Sequence, residues 1–61
     1  MKIETRHHGN AVYLIVTDPM SGRRGRYTVH EVSLVGLKET LVIGRELPLG
    51  HARRIVKQRC A

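Results

Sequence analysis

Arginine is the residue type with chemistry to offer in this chain. It carries 11 Lys+Arg against 5 Asp+Glu, a formal net charge of +6, and 8 of the 11 cations are Arg. A guanidinium fork grips phosphate or carboxylate through two parallel hydrogen bonds, which an ammonium cannot do. The arginines gather in two places. Arg23, Arg24 and Arg26 stand with Gly22 and Gly25 after Asp18-Pro19, while Arg53, Arg54, Lys57 and Arg59 lie in the last nine residues. No acid interrupts either group. A glycine-punctuated arginine loop can follow a phosphate backbone or enter a minor groove. The same cations suit an acidic protein surface, and the plainest reading is a solvated surface that keeps a small domain in solution.

Other chemistry finds less material. Tyr13 and Tyr27 are the only aromatic side chains. Single-strand binding rests on several stacked aromatics, so a duplex held by its phosphates is the expected nucleic acid. Tyr13 reads as a core residue with a wet hydroxyl. His7, His8, His30, His51 and Cys60 are the metal-ligand types, and no Cys-x-x-Cys or His-x-x-x-His spacing joins them. Adjacent His7 and His8 point to opposite faces of a strand, so no metal or other cofactor is expected. Asp18 is the only Asp, the four Glu are scattered, and no nucleophile elbow or phosphate-binding loop occurs, so no enzymatic activity is expected.

The elements that must hold these cations are legible from the aliphatic residues. There are 7 Val, 4 Ile and 6 Leu, and the β-branched majority favours strands. Residues 11–17 (AVYLIVT) form a continuous apolar run. They read as a central strand covered on both faces, or on one face by a partner. Gly9-Asn10 is a two-residue hairpin signal, and residues 2–8 before it read as an edge strand or a frayed terminus. Residues 26–35 read as the next strand. Tyr27 and Val29 share one phase and Val32 and Leu34 the other, so a β-bulge near His30-Glu31 is expected. Residues 39–47 follow a turn at 35–38.

Pro48-Leu49-Gly50 opens a helix over about 50–60, with Gly50 as its expected cap. Leu49, Ala52, Ile55, Val56 and Cys60 share one helical arc, and Arg54, Lys57 and Gln58 lie opposite. Arg53 and Arg59 sit at the margins, where stems pack and heads reach water. The expected fold is α+β: one small domain over residues 1–61, with an antiparallel sheet of three or four strands. One C-terminal helix packs on one face of that sheet.

The stretch from Ile3 to Tyr27 resembles the arm-binding N-terminal domain of lambda-type tyrosine recombinases. The shared order is strand, Gly9-Asn10 turn, strand with a tyrosine, Asp18-Pro19-Met20-Ser21-Gly22-Arg23, strand. The resemblance covers about 25 residues and rests on a common hairpin turn. It implies a sheet that enters a DNA groove, with Arg23, Arg24 and Arg26 near the backbone. The chain departs from that family in its second hairpin before the helix.

The sequence therefore predicts a basic module that contacts double-stranded nucleic acid through Arg23, Arg24, Arg26, Arg53, Arg54, Lys57 and Arg59. The alternative is a small phage-type inhibitor or adaptor docked on an acidic protein surface. No apolar run has the roughly 18 residues of a membrane span, and a cytoplasmic location is expected. The run at 11–16 has more apolar surface than one short helix covers, which predicts a homodimer joined at sheet faces or edges.

Overall fold

The computed structural model describes residues 2–18, 22, 24–36 and 39–61, with residues 2 and 3 as backbone. Four strands, β1 (Lys2–His8), β2 (Ala11–Thr17), β3 (Tyr27–Ser33) and β4 (Thr40–Leu47), precede one helix, α1 (Leu49–Arg59). The strands form one antiparallel sheet in the order β1-β2-β3-β4, with the helix packed against it. Residues 2–8 are thus an edge strand. The two-residue turn at Gly9-Asn10 takes Gly9 to a φ of 59°, which glycine adopts without a Cβ penalty.

The β2–β3 ladder runs unbroken from Ala11↔Ser33 to Thr17↔Tyr27. The bulge expected in β3 near His30-Glu31 is therefore not there. Both phases of β3 hold apolar residues because both faces of the sheet are apolar. The irregularities in the pairing of β3 lie on its ladder with β4, where Tyr27↔Leu47, Val29↔Gly44 and His30↔Val42 place extra residues in β4. Strand β3 ends at Ser33 rather than residue 35, and β4 begins at Thr40 rather than 39. Leu37 and Lys38 of the intervening turn lie outside the described residues.

One bulge is anchored from across the sheet. Asp18 is 9% exposed, and its Oδ2 accepts the Thr28 hydroxyl at 2.9 Å and the Glu46 N–H at 3.3 Å. Glu46 has a φ of 51°, the left-handed conformation that side chains with a Cβ resist. The acid that closes β2 thus fixes a strained residue in β4.

The core lies between sheet and helix. Tyr13 and Ile15 of β2, Val29 of β3, and Ala52 and Val56 of α1 are buried, with Leu47, Leu49 and Cys60 packed around them. Gly44 sits opposite Val29. A Cβ there would come within 2.5 Å of Leu47 Cδ1 and 3.3 Å of Ile55 Cδ1, so its bare backbone leaves room for both side chains. The helix spans 49–59, one residue earlier than the sequence predicts. Its cap is Pro48 rather than Gly50: the proline sits at φ −59°, ψ 151°, and its carbonyl accepts the Ala52 N–H at 3.0 Å. Proline's locked φ suits that extended capping position and lets the strand pass directly into the helix.

A charged groove between the helix and the edge strand

The helix packs chiefly on β2, β3 and β4 and leaves the flank of β1 open. There, a groove of about 280 Å³ runs between α1 and β1. Tyr13, Ile15 and Val56 supply its apolar lining, and Glu4, Arg6, Arg53 and Lys57 its charges. Strand alternation explains the first side. Glu4 pairs with Ile15 and Arg6 with Tyr13, so both β1 side chains share the helix-facing side of the sheet with the core. Helical periodicity explains the second. Arg53 and Lys57 lie four residues apart, one residue on from the buried pair Ala52 and Val56.

Two of the four helical cations have acidic partners. Arg53 donates from Nε to Glu4 Oε2 at 2.6 Å, and its terminal nitrogen reaches the same oxygen. This bond to Glu4 raises the Arg53 pKa above its ordinary value. Arg59 approaches Glu31 Oε2 at 3.9 Å. The acids come from β1 and β3: none interrupts the helical group in sequence, and folding brings two of them to its side. Arg54 and Lys57 are exposed and have no ion pair among the described residues.

Glu31 also takes the Tyr13 hydroxyl. That hydrogen bond is the leading cause holding the Tyr13 pKa above its usual 10.0; desolvation and the negative charge of Glu31 push the same way. The hydroxyl expected to be wet is instead tied to a carboxylate, and Tyr13 is 6% exposed.

The turn arginines divide differently. Arg23 lies outside the described residues. Arg24 is exposed beside Gly25, whose φ is 70°. Arg26 is half-buried, its carbonyl accepts the Asp18 N–H at 3.1 Å, and its Nε is buried without a hydrogen bond among the described residues. Arg26 is therefore partly a packing residue. Arg6 is the groove cation that sequence reading passed over, because residues 2–8 were read only as an edge strand or a frayed terminus. Its place two residues from Glu4, on the core phase of β1, was the available signal.

Among the described residues no three His, Cys, Asp or Glu side chains gather as metal ligands. Among the described residues, no helix is long and apolar enough to cross a membrane. The chain matches no protein-family model, and no curated protein or solved structure matches it.

Proposed function

We propose that the chain is a non-enzymatic module that binds double-stranded nucleic acid through its phosphates, as a cytoplasmic protein. The observation that carries the reading is the groove at the β1 flank. Arg6 from the strand, with Arg53 and Lys57 from the helix, lines one surface, and exposed Arg54 adds to the same helix. Three of the five acids are engaged internally: Asp18 with Thr28 and Glu46, Glu4 with Arg53, and Glu31 with Tyr13 and Arg59. Cations spread over two elements suit successive phosphates better than one compact anion. Arg24 and Arg26 would extend the contact at the turn. The local likeness to the recombinase arm-binding domain points the same way, with one difference of docking. The contact proposed here uses the helix side and the edge, where the arginines are.

A second reading draws on the groove's lining. Tyr13, Ile15 and Val56 are apolar, which a phosphate backbone does not require. An acidic, partly apolar protein segment would use both the lining and Arg6 and Lys57.

The test is a salt titration of binding to random-sequence duplex DNA. Counterion release gives a log–log slope of about −0.9 per neutralised phosphate, so a groove contact reads as several units. No binding at low salt removes the nucleic-acid reading and leaves the acidic protein surface.

A further inference from the structure

The sheet has a second apolar face that the helix does not touch. The unbroken β2–β3 register pairs Val12 with Val32 and Leu14 with His30, and β4 adds Val42 beside His30. These residues alternate with Tyr13, Ile15 and Val29, which point into the core, so they face the other way. Val12, Leu14, Val16 and Val32 remain half-exposed and Val42 is 37% exposed. The paired positions at the centre of this face carry no carboxylate, ammonium or guanidinium.

We infer that a second copy of the chain covers this face, so that two sheets pack face to face around a two-fold axis. Three observations identify the occupant. The first is area. The molecule measures 35 × 23 × 15 Å, and its broad face is the sheet. Two such faces in contact bury on the order of 1,200 Å² in total, the lower bound for a stable interface. The second is surface left over. The chain exposes 4413 Å², against about 4,000 Å² for a compact monomer of this mass. The third is charge. A +6 chain repels its own copies, yet Arg6, Arg53 and Lys57 lie on the helix side and turn outward when the open faces meet. The centre of the face carries His30 but no carboxylate, ammonium or guanidinium, which gives an acidic partner little to grip, whereas a copy of this chain matches it in width and polarity. Aligned sheets about 10 Å apart interdigitate such Val and Leu side chains. The inference stands whether or not the chain binds nucleic acid.

The experiment is sedimentation velocity on the intact chain from roughly micromolar to roughly millimolar protein. The expected result is a mass that doubles across this range in wild type and stays single in Leu14→Lys and in Val42→Lys. Val42 is already exposed, so its variant keeps the fold, as circular dichroism would record, even if Leu14→Lys does not. Isotope-filtered NOEs in a mixture of labelled and unlabelled wild type should link Val12, Leu14 or Val32 methyls to the other copy. A wild-type monomer throughout overturns the inference. So does a dimer that survives in folded Val42→Lys with its intermolecular NOEs on α1 or β1.

Discussion

Asp18 holds the backbone of Glu46 in place: its carboxylate accepts the Glu46 N–H at 3.3 Å, and Glu46 sits at a φ of 51°. The two residues are 28 apart in sequence. The bond joins the turn end of β2 to the bulge that leads β4 into the helix, so it fixes where α1 begins relative to the sheet.

Removing the acceptor should be felt throughout the fold. Asp18→Ala leaves the Thr28 hydroxyl and the Glu46 N–H without this carboxylate. Hydrogen bonds to charged groups contribute about 1.5–3 kcal/mol, so a loss of about 2–3 kcal/mol is expected in urea denaturation. Glu46→Gly should act the other way. It relieves the left-handed strain and gains about 0.5–1 kcal/mol, net of the unfolded glycine's greater freedom.

Tyr13 should ionise late. Its hydrogen bond to Glu31 favours the neutral phenol, so the folded-state pKa lies above 10.0. The stabilisation is complete below the unfolded value and is lost as pH rises through the folded one. The tyrosinate absorbance of the native chain should contain one phase above 10.0. Tyr13→Phe should abolish that phase, and Glu31→Gln should move it down.

Charge changes at the groove should alter polyanion binding without unfolding the chain. Arg6→Ala and Lys57→Ala should each flatten the salt slope by about 0.9. Glu4→Gln removes the acid that holds Arg53, and binding at low salt should tighten. Equal slopes in all three variants would place the phosphate contacts elsewhere.

Val56→Asp should unfold the chain. Val56 is 5% exposed in the helix–sheet core, and an unpaired carboxylate there has no partner among Tyr13, Ile15, Val29 and Ala52. Loss of the helical circular dichroism signal at ambient temperature checks this.

Strand and helix order was legible because it rests on local signals: β-branched runs, Gly9-Asn10, and the arc of Leu49, Ala52, Val56 and Cys60. The bulges were not legible, because a bulge in β4 is defined only against β3. Equal apolarity in both phases of β3 invited a break where there is none. At the site, the positions of Arg53, Lys57 and Arg59 on α1 could be read from periodicity. Their partners could not, since Glu4 and Glu31 come from strands 49 and 28 residues away. The Asp18–Thr28–Glu46 contact was hidden for the same reason, and Asp18 read only as a turn residue.

The helix leaves β1 to be held mainly by its ladder with β2, with Arg53–Glu4 as one tie to α1. That arrangement sets an order of opening. The amides of β1 should exchange with solvent deuterium before those of β2 and β3, because releasing β1 uncovers little of the core around Val29 and Val56. Each such opening turns β2 into a temporary outer strand, whose Tyr13 and Ile15 backbone groups, on the side that β1 leaves, can accept the β1 of another chain. The salt-sensitive Arg53–Glu4 pair is then a brake on strand exchange, and high ionic strength or Glu4→Gln should release it.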